Sequence, residues 1–142
     1  MTQITFQVDT SRVLEILSKQ IYDSPYAMAR ENVQNAYDAV LMRASREQKS
    51  PSAYQIAIAA QPDLIEISDQ GIGMTEEILR ENFWRAGSSG KNNDSARSAG
   101  VIGTFGIGAM ANFGVCDRLQ VDTRAIDQAR GIRTYAIKSQ LS

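Results

Sequence analysis

The sequence predicts an α+β fold: a two-layer α/β sandwich with helices on one face of a mostly antiparallel sheet. Three observations point there. Short runs with two-residue alternation occur as adjacent pairs, and longer segments carry helical periodicity. The order is strand, two helices, hairpin, helix, loop, helix, hairpin. The 142 residues suit a single domain over 1–142.

Residues 4–9 alternate, placing Ile4, Phe6 and Val8 on one face of a strand. Asp9, Thr10 and Ser11 offer capping oxygens to a helix carrying Val13, Ile16, Leu17 and Ile21. Ser24 before Pro25 reads as an N-cap with proline at the first helical position, opening a helix that runs to about Ser45 or Arg46. After a turn at Gln48–Ser52, Tyr54, Ile56 and Ile58 alternate with Gln55, Ala57 and Ala59 as a strand. Gln61-Pro62-Asp63 turns the chain, and Leu64–Asp69 is its hairpin partner. Gly71 and Gly73 then precede a short helix from about Thr75 to Arg85.

Residues 87–100 are a polar loop of about fourteen residues, rich in Gly, Ser and Asn, a length that is usually functional or disordered. Arg85, Lys91 and Arg97 there face only Asp94. Gly103, Gly106 and Gly108 lead into a short apolar helix near Ala109–Phe113, and strands around Arg118–Arg124 and Arg133–Lys138 follow.

Composition removes whole classes of chemistry. Without histidine, the chain cannot hold a Ser-His-Asp or Cys-His pair, a histidine metal site or a phosphoaccepting histidine. Cys116, the one cysteine, cannot make an internal disulfide or a multi-thiolate zinc site, and suits a reducing, cytoplasmic compartment. A formal net charge of −1 gives no general basis for a nucleic-acid partner. No apolar run approaches the ~20 residues of a membrane span, so no membrane partner is expected. Carboxylates, amides, Lys, Arg and backbone groups are left.

Glu31, Asn35 and Asp38 fall within about 60° of one another on the helix from Pro25. Val33, Tyr37, Val40 and Ala44 form an opposite apolar stripe. The polar trio reads either as a solvated outer face or, beside Met28, Ala39 and Met42, as a pocket wall. In a pocket, a carboxylate can take a proton from water and an amide oxygen can ligate Mg²⁺. Asp69 ends the apolar stripe Ile65, Ile67 just before Gly71-Ile72-Gly73. It could accept bonds from an exocyclic amine, with the glycines admitting a flat ring, or it could simply open a turn. Gly103-Thr-Phe-Gly106-Ile-Gly108 before a helix suits phosphate oxygens. It lacks the Lys and Ser or Thr of a P-loop. Gly106 to Ala111 also fits G-x-G-x-x-A, with Asp127 about twenty residues on, but it does not close a leading βαβ strand.

Taken in order, Glu31-x-x-x-Asn35-x-x-Asp38, Asp69-x-Gly71-x-Gly73 and Gly103-x-x-Gly106-x-Gly108 resemble the GHKL (Bergerat-fold) ATPase superfamily of gyrases, heat-shock chaperones, histidine kinases and MutL proteins. The chain is most similar to the N-terminal ATP-binding domain of the heat-shock protein 90 chaperones. Ile21-Tyr22-Asp23-Ser24, Arg30-Glu31, Ile67 to Met74 and Gly103 to Gly108 carry that likeness, over roughly residues 4–138.

The resemblance implies binding of Mg-ATP or ADP and slow ATP hydrolysis. It makes Glu31 the general base and Asn35 the Mg²⁺ ligand that also touches phosphate oxygens. Asp38 and Ala39 would line the pocket, Asp69 would read the adenine amine, and Gly73 and Met74 would pack on the base. Asn82 lies toward the sugar, residues 87–102 match the lid, and Gly106, Ile107 and Gly108 match the amides that hold phosphate.

Three departures accompany the likeness. Ser88 stands where the chaperones have a lid lysine, leaving Lys91 to reach the phosphates, and the lid is short. The family domain continues past this chain with further strands, one bearing a threonine of the adenine site, so the sheet is expected to be truncated at the C-terminus. An edge left open invites a missing C-terminal domain, a protein client or a second copy in a homodimer. The alternative function is a non-catalytic nucleotide-sensing or protein-interaction module of the same fold.

Overall fold

The computed structural model describes residues 25–84 and 112–140. The strand expected at 4–9, the helix after it, the Ser24 cap, the lid at 87–102 and the glycines at 103–108 lie outside the described residues.

Helix α1 spans Pro25–Glu47, close to the expected extent. It begins at a proline, whose missing N–H would have had no intrahelical partner. Its end is a Schellman closure. Gln48 adopts φ 55°, its N–H donates to Ser45 O (3.3 Å), and the N–H of Lys49 donates to Ala44 O (2.9 Å). Those bonds satisfy carbonyls that a helix end would otherwise orphan. Glycine is the usual residue at this left-handed position; with its Cβ, Gln48 holds it at a cost of about 1 kcal/mol.

Ser50 caps a single 3₁₀ turn, Pro51–Ala53, by accepting from the Ser52 N–H. The chain then enters β1 (Ile56–Gln61), which pairs antiparallel with β2 (Leu64–Asp69). The register runs from Ile56 opposite Asp69 to Gln61 opposite Leu64, so Pro62 and Asp63 make the turn. Proline's fixed φ suits the second position of such a turn.

Helix α2, Glu76–Ile78, is opened by Thr75, whose Oγ1 accepts from the Ile78 N–H at 3.3 Å. It widens at once into a π turn, Leu79–Phe83, instead of continuing as an α-helix. Trp84 then donates its indole N–H to Thr134 Oγ1 at 3.0 Å and meets the Phe83 ring edge-on.

A 3₁₀ turn at Asn112–Gly114 precedes the second hairpin, β3 (Arg118–Thr123) with β4 (Ile132–Ile137). Half-buried Leu119, Val121 and Thr123 alternate with exposed Arg118, Gln120 and Asp122. Across the exposed face Asp122 pairs with Arg133 at 2.9 and 3.0 Å, and Arg118 lies 4.6 Å from the Tyr135 ring centre.

Every described ladder is antiparallel, and α1 packs on the β1–β2 hairpin, an α+β arrangement. The described core is Met28, Ala36, Val40 and Ala44 of α1 with Leu79, Phe113 and Ala125. Asn112 is buried among them and accepts from Asn32 Nδ2 at 2.5 Å; the same amide also donates to Met28 O. Buried polar atoms are retained on these terms. Tyr37 departs from the expected apolar stripe: it is 44% exposed, because α1 buries the arc through Ala36, Val40 and Ala44 on one side and Asp38 on the other. No helix among the described residues is long and apolar enough to cross a membrane.

Replacing Gln48 by Gly relieves the left-handed strain. A net gain of a few tenths of a kcal/mol, about 0.5 at most, is expected after glycine's extra unfolded-state entropy. Urea denaturation should show a higher midpoint with an unchanged slope, and an unaltered or lower midpoint would contradict the closure described.

Candidate functional site

Glu31, Asn35, Ala39 and Arg43 form one i, i+4 row along α1. It covers about 18 Å at 1.5 Å per residue. At Ala39 the row meets the chain leaving β2. The Ile72 N–H donates to Ala39 O at 3.0 Å. Gly71 is buried so tightly that a Cβ on it would lie 2.4 Å from the Ala39 Cβ and 2.6 Å from Asp69 Oδ1. No side chain fits there.

The Gly71 N–H donates to Asp69 Oδ1 at 2.7 Å, fixing one carboxyl oxygen; the other makes no hydrogen bond among the described residues. Asp69 is solvent-exposed over its residue surface, yet its carboxyl is crowded by this corner. Burial pushes its pKa above the usual carboxylate range, against the opposing effect of the Gly71 N–H. The charged form is therefore held at a cost in the folded chain.

The next residues are clamped from the far side. Gly73 has φ +71°, and a Cβ there would stand 2.0 Å from Arg124 O. The Ile126 N–H donates to Ile72 O at 3.1 Å, and the Met74 N–H donates to Thr123 Oγ1 at 2.9 Å. The segment 71–74 is thus wedged between α1 and the end of β3.

The structure therefore gathers Ala39, Asp69, Gly73 and Met74 through Gly71 and Ile72. Asn35 and Glu31, both half-buried, continue the row one and two turns earlier. Asp38 is only 1% exposed and accepts from Gln34 Nε2 at 3.0 Å. Of the polar trio Asp38 alone is buried, while Glu31 and Asn35 keep part of their surface in solvent. Asn82 is half-buried in the π turn. Lys91, Gly106, Ile107 and Gly108 lie outside the described residues.

Among the described residues no group of three or more His, Cys, Asp or Glu could hold a metal ion. A cation at Asn35 would need oxygens from a bound ligand as well. An open depression of about 420 Å³ lined by Asp122, Thr123, Arg124, Gly131, Ile132 and Arg133 adjoins the corner through Thr123 and Arg124. Its acid, Asp122, is already paired with Arg133, whose guanidinium holds that carboxyl below its usual range.

Sequence reasoning missed the far wall. Thr123 lies within a strand expected around Arg118–Arg124 that carries no motif, and Arg124 and Ala125 offer backbone rather than side-chain chemistry. Backbone walls leave no motif.

A half-buried helix row, an acid ending a strand and a two-glycine turn wedged against the helix agree with the family comparison. The chain belongs to the histidine kinase-, DNA gyrase B-, and HSP90-like ATPase family, whose model matches residues 24–140. Among curated proteins it is 31% identical to the chaperone protein HtpG of Halalkalibacterium halodurans, over 92% of this chain and 23% of that protein. It is 33% identical to HtpG of Shouchella clausii, over 89% of this chain and 22% of that one. It is 30% identical to the mitochondrial heat shock protein 75 kDa of Bos taurus, over 89% and 20% respectively. The chain spans less than a quarter of the length of these relatives.

Gly73→Ala should cost about 2–4 kcal/mol, from the left-handed backbone together with the clash against Arg124 O. Chemical denaturation measures it. A loss below about 0.5 kcal/mol would mean that the wedge yields freely and does not fix the loop.

Proposed function

We propose that the chain binds Mg-ATP and ADP and hydrolyses ATP slowly, as the N-terminal ATPase domain of a heat-shock-protein-90-like chaperone of the cytoplasm. The carrying observation is the corner at Ala39: a carboxyl held by Gly71, with its second oxygen without a described bond, backed by a glycine turn with no room for side chains.

An acceptor-only carboxylate beside exposed backbone suits a base bearing an exocyclic amine. Asp69 would accept from the amine of adenine. Gly73 and Met74 would pack against the ring, and Asp38 and Ala39 would form the helix side of the cavity. Asn82 would approach the sugar. Asn35, one turn from Ala39, presents an amide oxygen of the kind Mg²⁺ accepts, and its half-buried place in the row fits that role. Bound Mg²⁺ would neutralise charge on the phosphates. Gly106, Ile107 and Gly108 would donate backbone N–H groups to phosphate oxygens, and Lys91 would bring a cation from the lid.

Glu31, a further turn along, would accept a proton from the attacking water. The water oxygen then bonds to the γ-phosphorus as the bond to the β–γ bridging oxygen breaks, leaving ADP and inorganic phosphate. A single positioned base contributes about 10²–10⁴-fold. The relatives' length makes further domains and a protein client reasonable partners, and a homodimer as well.

Glu31→Ala should cut phosphate release at least about a hundredfold while leaving ADP affinity within twofold. Unchanged turnover would remove Glu31 from the mechanism. Turnover absent in the parent despite tight binding would favour the nucleotide-sensing module.

Asp69→Asn should abolish the thermal shift on adding ADP. The same change should leave the nucleotide-free chain as stable or more so at neutral pH. A raised folded-state pKa favours the protonated acid, so the stability this group gives is present below the unfolded pKa and lost as pH rises through the folded one. The parent's advantage over the variant should accordingly appear only at acid pH. A retained ADP shift would remove Asp69 from base recognition, and a parent with no ADP shift at all would argue for an interaction module without nucleotide.

A further inference from the structure

The row Glu31, Asn35, Ala39 does not end at Ala39. Arg43 is its next member and reaches the same strand exit from one turn farther along. Its Nη1–H donates to Gln70 O at 3.0 Å, while Ala39 O takes the Ile72 N–H. The two helix positions thus grip the residues on either side of Gly71, whose own N–H holds Asp69 Oδ1.

Arg43 is itself held in place. Its Nε–H donates to Glu47 Oε1 at 3.2 Å, and its guanidinium lies 5.1 Å from the Tyr54 ring centre. The Tyr54 hydroxyl donates to the same Glu47 oxygen, and that bond, with Arg43 adding to it, keeps the Glu47 carboxyl below its usual range. On the other side Gln70 is pinned to the start of the hairpin. Its N–H donates to Gln55 O at 3.0 Å, and its Oε1 accepts from the Gln55 N–H at 2.8 Å. Arg43, Tyr54 and Glu47 therefore brace Gln70, and Gln70 is the residue directly after Asp69.

A half-buried i, i+4 ion pair such as Arg43–Glu47 gives little stability by itself. The bond to a backbone carbonyl beside the site is the part with geometric consequence. A flat planar fork can hold the Glu47 and Gln70 oxygens together, which an ammonium group would not do with the same rigidity.

We infer that Arg43 is a positioning residue for base recognition: through Gln70 O it fixes the Asp69–Gly71 turn against α1, and so sets the carboxyl that selects an adenine over a base lacking the amine. The inference rests on the proposed reading of Asp69.

Calorimetry with ADP and inosine diphosphate, whose base carries a carbonyl in place of the amine, tests it. In Arg43→Met, ADP affinity should fall about tenfold while inosine diphosphate affinity stays within twofold, because only the amine uses Asp69. Tyr54→Phe removes the hydroxyl bond to Glu47 but keeps the Gln70 contact, so it should lower the melting temperature and leave the base preference intact. A parallel loss of both nucleotides in Arg43→Met would mark general loosening and overturn the role. So would an undiminished preference. A parent that binds both nucleotides equally would overturn the Asp69 reading itself, and this inference with it.

Discussion

The hydrogen bond from the Ile72 N–H to Ala39 O, with Gly71 pressed on the Ala39 side chain, is the contact on which the described site depends. A carbonyl in the middle of a helix already serves the helix ladder. Giving it a second donor requires the incoming chain to approach at backbone distance, and only a residue without Cβ allows that at position 71. The approach joins the strand that carries Asp69 to the helix that carries Glu31 and Asn35. Without it, the Arg43 bond to Gln70 O and the packing of α1 on the hairpin would still join the two elements, but the turn at residues 71 and 72 would lose its seat on Ala39.

The same contact explains why the acid sits where its charge is costly. Asp69 ends a strand that is otherwise open to solvent, but the docking of residues 71 and 72 crowds its carboxyl and pushes its pKa upward. One backbone N–H is a partial offset. Natural sites commonly hold such groups at the expense of stability, and a bound donor would complete the solvation this one lacks.

Much of the fold could be read from the chain because local signals and tertiary packing agreed. Pro25 opened α1, and Pro62-Asp63 turned a hairpin whose second strand runs over the expected residues Leu64–Asp69. Disagreement arose where local pattern is silent. The α-helix expected through Arg85 gives way to a π turn after one turn, around buried Leu79. Tyr37 shares the period of the apolar stripe but not its environment. For the site, spacing placed Glu31, Asn35 and Asp38 on one flank but could not say how far each is from water; the structure buries Asp38 and leaves Glu31 and Asn35 half-buried. The walls made by Arg124, Ala125 and Gln70 act through backbone atoms, which any residue supplies, and so leave no trace in residue type.

The most direct test is a crystal structure of the chain grown with Mg-ADP. The adenine ring is expected along Gly73 and Met74, with its exocyclic nitrogen about 3 Å from Asp69 Oδ2. A nucleotide seated elsewhere, or an Asp69 carboxyl turned away from the base, would contradict it.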